Sequence, residues 1–189
     1  MAVSLILETY EPEERLNLRI IDPACGTGGF LRAALLHMQG ILSEQMTQKH
    51  GGDEEAARHD TRRRLRQVCE RTIFGIDKLP ELVRAAQMNL AMHGDGSTNV
   101  YHANSLLPPG EWSEKVRKAV GLGGFDVLFT NPPFGSKLPI DDPHILDQFS
   151  LSRFGASSTR SSMPPEQLFV ERALDCLKPG GRMAIVLPD

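Results

Sequence analysis

Asp22-Pro23-Ala24-Cys25-Gly26-Thr27-Gly28-Gly29-Phe30 is the stretch on which the fold turns. Ahead of it, Leu18, Ile20 and Ile21 make a short apolar run that ends in the carboxylate of Asp22. After it, Leu31, Ala34, Leu35, Met38, Leu42 and Met46 recur at helical spacing until His50-Gly51-Gly52 breaks the pattern. The order is strand, tight turn, helix. Glycines in that turn allow backbone angles that a Cβ forbids, and they let a ligand approach the free N–H groups at the start of the helix. Such a turn serves either a nucleotide-type cofactor or chain reversal alone, and one motif does not separate the two.

A second stretch, just over a hundred positions later, narrows the choice. Phe125, Val127, Leu128 and Phe129 read as a buried strand that stops at Asn131-Pro132-Pro133-Phe134, because prolines cannot continue a central ladder. The Asn131 side-chain carbonyl and a neighbouring backbone carbonyl are two acceptors, able to hold an exocyclic amino group and leave its lone pair free. Phe134 offers a ring face for a flat base. Between the two stretches, Thr72-Ile73-Phe74-Gly75-Ile76-Asp77 is another apolar strand ending in a carboxylate. Asp77 can accept hydrogen bonds from the ribose hydroxyls of an adenosine, or it can cap the helix that follows. It lies 55 residues after Asp22, far beyond the ~20 of a dinucleotide unit. An extra helix, capped by Asp60 or Thr61 and containing Arg62-Arg63-Arg64-Leu65-Arg66, accounts for the excess; its basic run reads as a solvated face. A helix through Leu82, Ala86 and Leu90 stops at His93-Gly94. A third strand, Asn99 to Ala103, then leads into Asn104-Ser105-Leu106.

Together these residues resemble the N6-adenine DNA methyltransferases, most closely the modification subunit of type I restriction-modification systems. Asp22 to Phe30 matches that family's cofactor loop, Asn131 to Lys137 matches its catalytic motif, and the likeness runs from about Leu18 to Asp189. The resemblance implies an α/β, Rossmann-like, S-adenosylmethionine-dependent methyltransferase fold, with a mainly parallel sheet and helices on both faces. It implies the sheet order 3-2-1-4-5-7-6, of which residues 1–189 would form one partial catalytic domain with the last strands missing. It also implies that S-adenosylmethionine is bound by Asp22, Pro23, Ala24, Cys25, Gly26, Thr27, Gly28, Gly29 and Phe30, with Asp77, Lys78, Asn104, Ser105, Leu106 and Asn131. Asn131, Pro132, Pro133 and Phe134 would form the catalytic turn, acting without a metal on an adenine flipped out of DNA. Asn104 departs from the family's usual Asp, keeping an acceptor oxygen but no charge.

The net charge of −3 and sequence pI near 6.1 fit poorly with a free-standing DNA binder, because Lys and Arg contacts to phosphate supply most non-specific affinity. By resemblance, a separate specificity subunit carries target recognition and a restriction subunit completes the complex. A hydrophobic content of 40% and a charged content of 24% are ordinary for a globular protein. No apolar run approaches the ~18 residues of a membrane helix, and the opening stretch Met1 to Glu14 has no basic region of the secretory kind. Three widely spaced cysteines without a CxxC argue against a disulfide framework or a zinc site, which places the chain in a reducing, cytoplasmic setting.

The remaining segments read more plainly. Residues 1–17 look like a helix end and a turn around Pro12, and Ser113 to Val120 like a short helix with Trp112 as a packing anchor. Residues 135–164 are rich in Ser, Pro and Asp, and a loop of that length is expected to be functional: a flexible lid over the target base, with Lys137, Arg153 and Arg160 in reach of phosphate. Pro164-Pro165-Glu166 opens a helix whose Phe169, Ala173, Cys176 and Leu177 face the core. Lys178 to Gly181 ends it, and Arg182 to Leu187 is a fifth strand with an exposed edge. Two rival readings keep the loop and the turn but change the task. In one, the methyl acceptor is a protein glutamine or an RNA amino group. In the other, the chain is a non-catalytic cofactor-binding or assembly module. An oxidoreductase has no use for Asn131 to Phe134.

Overall fold

The computed structural model describes residues 2–94, 99–135, 139–154 and 158–188. In chain order the elements are α1 (Ala2–Leu7), α2 (Pro12–Arg15), β1 (Ile20–Asp22), α3 (Gly29–His50), α4 (Glu54–Thr72), β2 (Ile73–Asp77), α5 (Pro80–Met92) and β3 (Val100–His102). They continue with α6 (Glu114–Ala119), β4 (Phe125–Thr130), α7 (Pro143–Leu146), β5 (Arg153–Phe154), β6 (Ser158–Thr159), α8 (Pro165–Cys176) and β7 (Leu177–Ile185). The main sheet has the order β3-β2-β1-β4-β7 and every pairing in it is parallel, which is the expected 3-2-1-4-5 sequence of strands. The strands are buried on both faces, so they appear in the sequence as continuous apolar runs rather than alternating ones.

Each face carries its own core. Ile20, Ile73, Val127 and Phe129 pack under α3, α4 and α5, while Ile21, Phe74, Ile76 and Leu128 pack under α6 and α8. The six apolar residues of α3 singled out by spacing are its six buried ones. Full burial of such a side chain is worth about 1.5–3 kcal/mol. Gly75 in β2 makes the close approach possible: a Cβ there would lie 2.7 Å from Leu31 Cδ1 and 3.1 Å from Cys25 Sγ. Trp112 is buried and donates its indole N–H to the Asn104 carbonyl at 3.0 Å, as expected of an anchor.

Several boundaries differ from the sequence expectation. Helix α4 starts at Glu54, capped by Asp53, whose side chain accepts from Ala56 N at 3.0 Å. Asp60 is therefore inside the helix, where it pairs with Lys49, His50 and Arg63 instead of capping. The arginines of this helix at 62, 63, 64 and 66 are exposed, which is the solvated face. The last strand begins at Leu177, not Arg182, and ends at Ile185. Its register against β4 jumps from the Phe125–Leu177 pair to the Val127–Arg182 pair, so Lys178 to Gly181 form a bulge within the strand. Leu177 is thus the first strand residue and only half-buried.

Residues 139–154 and 158–163 carry more structure than their composition announced. They include α7 and the β5–β6 hairpin, and Ile140 bridges Met163. Ile145, Leu146, Phe149 and Met163 form a small apolar cluster with Leu106, Leu168 and Phe169. No helix among the described residues is long and apolar enough to cross a membrane.

Candidate active site

Parallel strands all point their carboxyl ends the same way, so Asp22, Asp77, Asn104 and Asn131, which end or follow β1, β2, β3 and β4, meet on one rim. The glycine loop is held there from three sides. Cys25 N donates to Ile76 O at 2.9 Å and Gly26 N to Asp77 Oδ2 at 2.9 Å, both from the end of β2. Asn89 on α5 donates to Thr27 O at 3.0 Å, and Ser105 Oγ, buried beyond β3, donates to Pro23 O at 2.6 Å. Gly28 caps α3 at φ 81°, a left-handed value, with a Cβ there only 3.2 Å from Ala86 Cβ. That position tolerates only glycine without strain.

Two carboxyls lie beneath the loop. Asp77 is 8% exposed and its oxygens accept from Gly26 N and Leu79 N, both at 2.9 Å. Asp22 is 2% exposed and accepts from Ala24 N at 3.0 Å. Burial pushes its pKa up to about 7; the Ala24 N–H and the nearby Thr130 hydroxyl oppose that rise, and the charge of Asp77 adds to it. Thr130 Oγ1 is itself buried and makes no hydrogen bond of good geometry. Burial likewise raises the Cys25 thiol pKa, with both carboxyls contributing, so the thiol stays protonated.

The rim encloses two adjoining cavities. The first, about 260 Å³, is bordered by the polar groups of Asp77, Lys78, Asn104 and Ser105 and by the apolar side chains of Leu79, Leu82, Leu106, Pro133, Ile140 and Phe169. The second, about 490 Å³, is bordered by Asp22, Cys25, Thr27, Gly29 and Phe30, with Ala2, Val3 and Ser4 of α1 as its far wall. Ala24, Gly26 and Asn131 line both. A slot with apolar faces and a carboxylate at one end suits an adenosine. Asp77 keeps unused lone pairs for ribose hydroxyls, and the Asn104 amide oxygen accepts from Leu106 N at 3.0 Å with a lone pair to spare.

Of the residues singled out in the sequence, Pro23 and Ala24, the Asp77–Lys78 pair, Asn104 to Leu106, and Asn131 and Pro133 border the first cavity. Asp22, Cys25, Thr27, Gly29 and Phe30 border the second. Gly28 borders neither and serves the packing against Ala86. Pro132 is buried beneath the turn, and Phe134 stands at its surface, 49% exposed. Arg153 and Arg160 are exposed near the β5–β6 hairpin, while Lys137 lies outside the described residues. Phe169 and Pro165 reach the first cavity from α8, and Ala2 to Ser4 reach the second, although none was read as a site residue. Phe169 has the spacing of a core residue, and nothing in α1 marks it as a cavity wall before the chain is folded.

The sequence profile of the N-6 DNA Methylase family matches residues 2–189. The chain is similar to the methylase subunit of the type I restriction enzyme EcoEI of Escherichia coli, at 30% identity over 181 residues. That match covers 94% of this chain and 29% of the relative. The methylase subunit of the E. coli K12 enzyme EcoKI is 27% identical over 194 residues, covering 99% of this chain and 30% of the relative. The chain thus spans less than a third of the length of these relatives. Among solved structures, a protein described as a modification subunit of a type I restriction enzyme from Vibrio vulnificus YJ016 superposes with a TM-score of 0.60 at 27% identity. It covers 99% of this chain and 33% of that one. A Listeria monocytogenes protein described as a class I S-adenosylmethionine-dependent methyltransferase shares the fold, with a TM-score of 0.58 at 19% identity over 100% of this chain and 45% of that one.

Proposed function

Because the chain belongs to the N-6 DNA methylase family, we propose that it forms the catalytic core of a type I modification subunit, transferring the methyl group of S-adenosylmethionine to N6 of adenine in DNA. The observation that carries this reading is Asn131, which borders both cavities at the point where they join. When bound, S-adenosylmethionine supplies a methyl group activated by its sulfonium. Asp77 would hold the ribose of that cofactor, and Leu79, Leu82, Leu106 and Phe169 would enclose its adenine, with Asn104 at the ring edge.

The remaining work belongs to the turn. N6 of a duplex adenine is hidden in the stack, so the base must be extruded to reach the rim. The Asn131 side-chain oxygen and the Pro132 carbonyl would accept the two amine protons, and Phe134 would stack on the base. Held in that way, the amine would keep its lone pair free for the activated methyl group, and the proton that N6 loses would pass to water. Catalysis of this kind comes chiefly from orienting two bound reactants.

An acidic chain needs help to hold DNA, and in this reading the help comes from a specificity subunit, with a restriction subunit completing the assembly. Residues 139–154 and 158–164 would act as the cover of the extruded base. The test is incorporation of tritiated methyl groups into DNA, RNA and protein, with and without a specificity subunit. Label in N6-methyladenine of DNA is the expected result. Label confined to protein or RNA, or none at all while S-adenosylmethionine binds, would sink the reading in favour of a different acceptor or a non-catalytic module.

A further inference from the structure

We infer that Glu166 is a positioning residue for the Asn131 to Phe134 turn, a role that rests on the methyl transfer proposed above. The turn has an anchoring problem written into its sequence. Pro132 and Pro133 have no N–H, so neither can be fixed by donating to the scaffold, and the burden falls on the residues that follow. Gly135, directly after Phe134, donates its N–H to Glu166 Oε2 at 3.2 Å. Among the described residues this is the one side-chain hydrogen bond made to residues 131–135.

The location of Glu166 gives that bond its consequence. It occupies the first turn of α8, where a carboxylate is favoured by the helix dipole, and its helical neighbours Pro165 and Phe169 border the first cavity. One helical turn therefore forms a wall of the cofactor cavity and ties down the amine-holding turn. The same helix secures the chain further on. Glu171 accepts from Ser150 N at 2.6 Å and Leu151 N at 2.9 Å, and Arg172 donates to Gln148 Oε1 at 3.1 Å with its guanidinium 4.9 Å from the Phe149 ring centre. Helix α8 is the fixed reference against which the acceptors of Asn131 are set relative to the methyl donor.

The test uses the assembled methyltransferase, with kcat, KM for S-adenosylmethionine and thermal melting measured for wild type, Glu166→Ala, Glu166→Gln and Glu166→Asp. Glu166→Ala is expected to lower kcat by about 10²-fold, the scale of a displacement near 1 Å, with KM for S-adenosylmethionine within about twofold and melting close to wild type. Glu166→Gln keeps a neutral acceptor oxygen and recovers most of the loss. Wild-type kcat in Glu166→Ala overturns the role and leaves the reaction standing, and so does a loss that Glu166→Gln fails to recover. Should Glu166→Ala not fold, Glu166→Asp decides: one methylene shorter, it lowers kcat alone if the bond positions the turn, and an unchanged kcat overturns the role. A wild-type enzyme that transfers no methyl group to DNA overturns the reaction, and the positioning role with it.

Discussion

The glycine loop and the Asn131 to Phe134 turn sit side by side on one rim, yet they are built in opposite ways. In the loop, backbone and side-chain groups are bonded across elements: Gly26 to Asp77, Thr27 to Asn89, Pro23 to Ser105. In the turn, Pro132 is buried while Asn131, Pro133 and Phe134 are exposed, and one side-chain bond, to Glu166, reaches the segment from elsewhere among the described residues. On the proposed reading, the difference follows from the ligands each would take. A small cofactor gains affinity from a cradle already in place, because little ordering is left to oppose binding. A base drawn out of a duplex is part of a large polymer, so its receptor has to stand open at the surface.

The contrast can be broken most sharply at Asn131. On the proposed reading Asn131→Ala would remove one of two acceptors for the amine, and it is expected to lower methyl transfer by about 10³-fold, the upper range for loss of one preorganised polar contact. S-adenosylmethionine affinity, measured by calorimetry, should stay near wild type. Parallel loss of binding and transfer would show that the two regions are a single structural unit. Asp77→Ala probes the opposite side. It leaves the N–H groups of Gly26 and Leu79 without their acceptor. Bonds to a charged acceptor are worth about 1.5–3 kcal/mol, so the cofactor dissociation constant should rise about 10- to 100-fold.

The same contrast explains what could be read without coordinates. The cradle was legible because backbone demands leave marks on sequence: a carboxylate at the strand end, glycine where φ is positive, helical periodicity from Leu31 to Met46. The place of Asp77 at the end of β2 was legible for the same reason, since it closes an apolar run. Phe169 and Pro165 were not, since a cavity wall on α8 has the same periodicity as a core face. Helix α4 was placed late because its first turn, Glu54 to Ala57, is polar apart from two alanines, and its cap Asp53 follows a glycine pair that reads as loop. The bulge at Lys178 to Gly181 carries helix-stop residues, so pairing with β4 overrode the local signal. Glu166 escaped because a bond spanning 31 residues depends on where α8 begins relative to β4, which no local pattern records.

Asp22 sharpens the comparison by pH. Its carboxyl, ordinarily near 3.8, is pushed up to about 7 by burial. The folded state therefore holds this proton more tightly than the unfolded chain, and stability falls as pH rises between those two values, levelling above them. Asp22→Asn removes the titrating group, so its melting temperature should change less from pH 4 to 8, and the variant should gain on wild type towards neutral pH. Equal pH profiles for the two proteins would mean that the carboxyl is ionised throughout. The turn, with no carboxylate in Asn131 to Phe134, should contribute nothing to this profile.

Phe134 gives the smallest effect and the cleanest division between stability and function. The residue is 49% exposed, so Phe134→Ala removes less buried area than a core truncation would and should lower the melting temperature only slightly. Loss of one stacked base is worth about 1–3 kcal/mol at most sites, and at an open rim we expect the lower end, a rise of about tenfold in KM for DNA. Cofactor affinity should not move, because Phe134 borders neither cavity, and Phe134→Trp should restore the DNA term with its larger face. A fall of several degrees in melting temperature, with KM for DNA unchanged, would mean that the ring packs against the protein and that the open turn is closed by something other than the substrate.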